Sequence, residues 1–368
     1  MSTQALFEPL KVGPYTLSHR VVMAPLTRMR ATKPGNHANA MNAEYYAQRA
    51  TRGGLIIAEA SQVLQGGAPG PGTPGIHTPE QVAGWKLVVD AIHAKGGLVF
   101  LQLWHVGRLS NAAQQPDGGP AIGASAIAAP GTRVVRGENV PYETPRALRL
   151  DEIPGIIEAY AQAARNAMEA GFDGIEIHAA NGYLLEQFMQ SRSNQRTDAY
   201  GGSIENRARL VLEVTAACAQ VWGSDRVGIR LSPFGVANGS GEDDPMPLYS
   251  HVIGALNRMG LAYLHLIEPR ASGAGQREVD HQGVPSAAEL FRPAWNGVLI
   301  AAGNFKPDTA TAMVEKGDAD AIAFGRYFIS NPDLPERIRV GAPFTPYNRP
   351  TFYTSGPEGY LDYPAMTA

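Results

Sequence analysis

Cysteine is nearly absent from this chain, with Cys218 the only one among 368 residues. A lone thiol excludes an internal disulfide and any cysteine-ligated zinc or iron–sulfur centre built within one chain. Cys218 lies in the helix-like run LVLEVTAACAQVW and is expected to be a small buried apolar side chain. Long apolar runs are missing too. No stretch approaches the ~20 residues that cross a bilayer, and the opening MSTQALFEPLKVG lacks the basic start and continuous apolar segment of an export signal. The expectation is therefore a cytoplasmic protein without a membrane partner. Excess charge is scarce as well. Lys and Arg number 31 against 34 Asp and Glu, a formal net charge of -3, so no broad basic surface is available for nucleic acid and small molecules are the expected partners.

What is present is a repeating pattern. Short apolar or β-branched runs recur as VVMAPL (21–26), GLIIAEA (54–60), LVFLQLWH (98–105), DGIEIHA (173–179), RVGIRLS (226–232), LAYLHLIE (261–268), GVLIAAG (297–303) and DAIAFG (320–325). Amphipathic helical stretches alternate with them, several with start signals: Thr78 before Pro79, Asp151 with Pro154, and Ser203 with Asn206. Eight strand-then-helix units predict an α/β fold, a (β/α)8 TIM barrel, over a doubly wound sheet. No G-x-G-x-x-G follows the first run, which also speaks against the doubly wound alternative.

The chain reads as a single domain over 1–368, with two irregular parts. Residues 106–149, rich in Gly, Pro, Ala and Ser, separate the third strand from its helix and are expected to cover the active site. Residues 341–368, dense in Pro and Tyr, are expected to pack irregularly on the barrel.

Chemistry in this fold gathers where strands end on their C-terminal side. No lysine ends a strand, which removes the nucleophile of a Schiff-base enzyme. Histidines on the third, fourth and sixth strands leave a metal-dependent hydrolase open, although Asn181 is a poor ligand for a transition metal and no metal ligand is assigned. Strands seven and eight finish in AAGNF and AFGRYF. Gly303 and Gly325 allow close backbone approach and Arg326 can pair with a dianion, so phosphate binding is expected there.

A flat phosphate-bearing cofactor such as a flavin needs hydrogen-bond partners along its pyrimidine edge and a positive charge nearby. Gln102 offers a donor and an acceptor, Arg230 a permanent charge and Thr27 a hydroxyl. Each has a plainer reading: Gln102 as a satisfied interior amide, Arg230 as an ion-pair partner of Glu59, Thr27 as a helix cap.

APLTRMR, GLIIAEASQV, LQLWHVGR, GFDGIEIHAANGYLLEQFMQSRSNQRTDAYGGSIENRARLVLEV, GIRLSP, YLHLIEPR, AFGRYFISNPDLPER and EGYLDYP together resemble the old yellow enzyme family of FMN-dependent ene-reductases, from about residue 5 to the end. Thr27 within APLTR resembles the branch with Thr rather than Cys near the flavin. The resemblance implies that His178 and Asn181 donate hydrogen bonds to a substrate carbonyl or nitro oxygen and that Tyr183 supplies a proton to the α-carbon. It implies FMN contacts from Pro25, Thr27, Ala60, Gln102, Arg230, Gly303, Gly325 and Arg326, and pocket walls from Trp104 and Tyr353. His265 and Glu268 match the family's strand and are expected to be structural.

The implied reaction reduces activated alkenes: α,β-unsaturated carbonyls, nitroalkenes and nitrate esters as further substrates. NADPH is the implied hydride donor, with NADH possible, and Arg133, Arg136 and Arg146 are candidate contacts to a 2′-phosphate. A flavin-binding redox protein without turnover is the other alternative. A monomer or homodimer is expected. Two departures stand out. Relatives often carry a second histidine where Asn181 stands, and they place an aromatic near the position of Gly70, whereas none occurs between Ser61 and His77.

Overall fold

The computed structural model of the protein describes residues 3–135, 138–269 and 285–366. Eight parallel strands close on themselves: β1 Val21–Met23, β2 Leu55–Gln62, β3 Leu98–Trp104, β4 Gly174–Ala179, β5 Val227–Leu231, β6 Tyr263–Ile267, β7 Leu299–Ala302 and β8 Ala321–Phe324. Each pairs with its neighbour in sequence, and β8 returns to β1 through Ala323 and Val22. Helices follow in turn at Ala40–Arg49, Pro79–His93, Ile153–Glu169, Ile204–Trp222, Pro245–Asn257, Ala287–Phe291, Pro307–Lys316 and Leu334–Val340. This is the (β/α)8 barrel that the alternating pattern predicts.

The period-two pleat divides each strand between two environments. Val99, Leu101 and Leu103 of β3, Ile175, Ile177 and Ala179 of β4, and Val227, Ile229 and Leu231 of β5 pack outward in the large core shared with the helices. The alternate residues face the axis. Toward the strand starts these are apolar: Leu55, Phe100, Tyr263 and Ile300 form one cluster with Val12 and Leu17. Val12 and Leu17 belong to a small antiparallel hairpin, Leu10–Val12 with Tyr15–Leu17, that plugs this end of the barrel. Toward the strand ends the inner face turns polar, with Gln102, Glu176, His178, Arg230 and His265. Chemistry is thereby confined to one mouth.

Two helix starts follow the sequence pattern and one does not. Thr78 accepts the Gln81 N–H with Pro79 in the first turn, and Ser203 accepts the Asn206 N–H. Asp151 caps nothing. A 3-10 turn at Leu150–Glu152 leads directly into the helix, and Asp151 instead pairs with Arg149 on the surface.

Between β3 and its helix the chain forms short 3-10 turns, a two-residue strand pair and the hairpin Thr132–Val135 with Glu138–Pro141. After Val340 the described residues contain no strand. That tail is held by arginines. Arg28 donates to the carbonyls of Phe352 and Gly359, Arg30 to those of Thr351, Phe352, Gly356 and Glu358, and Arg49 to that of Tyr360. Planar, multi-donor guanidiniums suit such a task, because a segment without sheet or helix leaves its carbonyls to be satisfied by side chains.

Candidate active site

The stretch after β4 makes a tight turn before the short helix Leu184–Met189. Asn181 takes φ +59° and Gly182 φ +77°. A Cβ on Gly182 would lie 2.7 Å from the Ala237 carbonyl oxygen, so only glycine fits. The main chain of Asn181 is fully engaged: its N–H donates to Ser232 Oγ at 2.9 Å and its carbonyl accepts from Asn238 Nδ2 at 2.9 Å. Its carboxamide has no partner among the described residues.

Beneath the turn lies Glu186, wholly buried. Its Oε2 accepts the Gly182 N–H at 2.6 Å, while Oε1 accepts from Ser232 Oγ at 2.6 Å and Tyr249 OH at 2.7 Å. Burial raises this carboxyl to about 7, against the lowering effect of those three donors. Gln187 adds a second brace, donating to the carbonyls of Gly182 and Val106.

The turn delivers Tyr183 against two other rings. Trp104 and His178 are nearly parallel at 6.1 Å between centroids, and Tyr183 stands edge-on to both at 4.8 Å. His178 is held well below the ordinary imidazole value by burial first and by the charge of Arg230, so it is a neutral ring with one N–H to give. Tyr183 is raised above the ordinary phenol value by burial, reinforced by Tyr353 and Tyr142 and opposed by Arg230. It keeps its proton at neutral pH.

Below these rings sits the polar layer. Gln102 Nε2 donates to Glu176 Oε1 at 2.7 Å, and His265 Nδ1 meets Glu176 Oε2 at 2.8 Å. Among the described residues nothing donates to the Gln102 carbonyl. Arg230 lies beside both His178 and His265 in register. It does not pair with Glu59, which takes the Arg28 backbone N–H instead. Buried Nε1 of Trp104, Nδ1 of His178 and Nε of Arg230 have no hydrogen-bond partner among the described residues. Polar atoms left so in an interior call for an acceptor-rich guest.

Opposite this polar arc the inner wall is made of small residues. Ala24, Ala302 and Ala323 line the ends of β1, β7 and β8, and Ala60 joins Trp104. At β7 and β8, Gly303 takes φ +141° and Arg326 donates to Asn304 Oδ1 at 3.1 Å, which brings the two loops together. A Cβ on Gly325 would come within 3.3 Å of Leu26, so the β1 end adjoins the same place. Pro25 and Thr27 flank that leucine in the chain. A flat group with hydrogen-bonding edges and a terminal phosphate fits this outline: polar arc, alanine wall, then glycines and a guanidinium.

The other sequence candidates are placed as follows. Tyr353 rises from the tail, 43 % exposed, where its hydroxyl bears on Tyr183. Glu268 caps the helix Ala287–Phe291 by accepting the N–H groups of Ala287 and Ala288. Arg133 is paired with Glu143 and Arg146 with Glu152, while Arg136 lies outside the described residues. At Gly70 an added Cβ would meet nothing within 4 Å, so that position is open. Among the described residues no three His, Cys, Asp or Glu side chains converge in a metal-binding arrangement, and no helix is long and apolar enough to cross a membrane.

Glu176, Glu186 and Tyr249 were not among the sequence candidates. Glu176 was nevertheless legible by parity: in DGIEIHA it stands two residues before His178 and so shares its inward face.

Comparison with known proteins agrees with this fold. Residues 5–344 match the model of the NADH:flavin oxidoreductase / NADH oxidase family. A curated relative, 12-oxophytodienoate reductase 1 of Oryza sativa subsp. japonica, is 48% identical over 365 residues, covering 98% of this chain and 93% of that protein. Among solved structures, morphinone reductase in complex with tetrahydroNAD superposes with TM-score 0.91 at 47% identity, covering 98% of each chain. The old yellow enzyme homologue from Zymomonas mobilis does so with TM-score 0.92 at 41% identity, covering 98% of this chain and 99% of the other.

Proposed function

Because the chain belongs to the NADH:flavin oxidoreductase family that includes the old yellow enzymes, we propose that this flavin oxidoreductase is an FMN-dependent ene-reductase that draws hydride from NADPH. Its substrates are alkenes activated by a carbonyl or nitro group, with nitrate esters as a further class. The observation that carries this reading is the edge-on contact of His178 with Tyr183, with Asn181 in the turn between them, at the strand ends that also carry Gln102 and Arg230.

The residues that would hold FMN are Gln102 and Arg230 along the polar edge, Pro25, Thr27 and Ala60 around the ring, and Gly303, Gly325 and Arg326 at the phosphate. Thr27 supports a place in the branch with Thr near the flavin. FMN bound there would supply reversible hydride chemistry between nicotinamide and alkene, the basis of a ping-pong cycle. His178 and Asn181 donate to the substrate oxygen, where negative charge builds as hydride reaches the β-carbon. Donors aligned in advance act mainly in the transition state, at about 3 kcal/mol each. Tyr183 delivers the phenolic proton to the α-carbon from the opposite side of the substrate, and Trp104 and Tyr353 wall the pocket.

The segment 106–149 serves as a cover. Arg108 supports that role by tying it across the mouth, donating to the carbonyls of Ile127, Asn238 and Gly239. Both described candidates for a 2′-phosphate contact are already paired with carboxylates, which favours use of NADH alongside NADPH. The open place at Gly70 favours bulky alkenes. The test is steady-state kinetics without oxygen, varying NADPH and 2-cyclohexenone: parallel reciprocal lines are expected, and intersecting lines would overturn the ping-pong assignment.

A further inference from the structure

Glu176 is a carboxylate in contact with the polar layer that the proposed chemistry leaves unused. It is wholly buried, as is its partner His265. An ionised carboxylate only accepts, so the Gln102 amide must turn its nitrogen to Glu176 and its carbonyl away, and a neutral His265 must carry its proton on Nδ1. Burial keeps His265 below the ordinary imidazole value, which makes the neutral ring the resident form. The one permanent charge in the layer is Arg230, and Glu176 is the first carboxylate to bear on it. Glu176 and Arg230 come from paired strands: Glu176 faces Gly228 in register, two residues before Arg230 on the same inner face.

We propose that Glu176 is a positioning residue for the cofactor. It fixes which end of the Gln102 amide meets the flavin, and it offsets the Arg230 charge that would otherwise pull electrons onto the ring. This rests on the flavin reading above. With the offset in place, the bound flavin is poised to give its hydride up to an alkene as well as to receive it. Without it, the reduced ring is held too firmly.

The substitution Glu176→Gln separates charge from connectivity. Its oxygen can still accept from Gln102, and its NH2 can donate to His265 Nδ1 once that ring moves its proton to Nε2. Holoprotein is equilibrated under nitrogen with a reference dye and reductant, and FMN affinity is followed by flavin fluorescence. At a fixed dye ratio, the reduced-to-oxidised flavin ratio is expected to rise roughly tenfold in Glu176→Gln, from loss of one nearby charge in a shielded site.

A ratio unchanged from wild type overturns the charge role. Should Glu176→Gln not accumulate as folded protein, Glu176→Asp carries the test: the shorter acid keeps the charge but releases Gln102, so FMN affinity should fall about tenfold. Unchanged affinity there overturns the positioning role. Wild-type protein that takes up no FMN would overturn the underlying flavin reading. A yellow wild type with both variants indistinguishable from it would overturn the role of Glu176 alone.

Discussion

Glu186 Oε2 sits 2.6 Å from the Gly182 N–H, so a buried carboxyl directly supports the backbone between the two residues assigned to donate to and protonate the substrate. The same carboxyl reaches Ser232, whose hydroxyl receives the Asn181 N–H. One side chain thus secures both ends of the turn.

That burial has a pH signature. Glu186 is raised to about 7 in the folded chain, against an ordinary value near ~4.3. The native state therefore holds more protons than the unfolded one between these values, and the group's contribution to stability declines as pH rises from about 4.5 to 7. Glu186→Gln lacks this decline but places an NH2 against the Gly182 N–H, at a pH-independent cost of about 1–3 kcal/mol. Its stability deficit relative to wild type should be large at pH 5 and shrink by on the order of 3 kcal/mol by pH 7.5. Denaturant melts at the two pH values check this, and a deficit that stays constant contradicts it.

Tyr183→Phe removes only the hydroxyl from a ring packed edge-on to Trp104 and His178. The fold and flavin reduction by NADPH should persist, while alkene reduction falls by about 10²-fold or more through loss of the proton donor. Single-turnover mixing of reduced protein with 2-cyclohexenone measures it. A wild-type rate would remove Tyr183 from the chemistry.

Neither donor to the substrate oxygen titrates near neutrality: His178 is held low, and Asn181 is an amide. The affinity of phenol ligands should therefore follow no more than the phenol's own ionisation. Asn181→His, at a left-handed position that histidine tolerates, should add a second proton dependence near pH 6.5. Two-proton behaviour already present in wild type would count against this site.

Arg30 donates to four tail carbonyls and to Thr354 Oγ1. Arg30→Ala should cost about 3 kcal/mol, because several buried acceptors lose a charged donor together. Limited proteolysis should then cut within 342–366 before the barrel is touched. Unchanged melting and cleavage would show that Arg28 and Arg49 suffice.

The barrel was legible because strand and helix periods alternate cleanly, and Gln102, His178 and Arg230 were legible as residues at the C-terminal ends of its strands. The supports were not. Glu186 and Tyr249 are far apart in sequence and meet only because the turn after β4 packs against the helix after β5. The plugging hairpin at 10–17 was missed because its strands are three residues each, too short to show a period. The Arg230–Glu59 pairing failed for a related reason: an irregularity in the pairing of β2 with β3 between Ala58 and Ser61 shifts the register there, and Glu59 meets Arg28.

The most direct test of the central claim is an anaerobic absorbance titration of the FMN-loaded protein with NADPH, followed by excess 2-cyclohexenone. Flavin absorbance should bleach with NADPH and return with the enone, oxygen absent throughout. Bleaching without recovery would contradict the roles given to His178, Asn181 and Tyr183, and protein that takes up no FMN at all would contradict the assignment of the mouth itself.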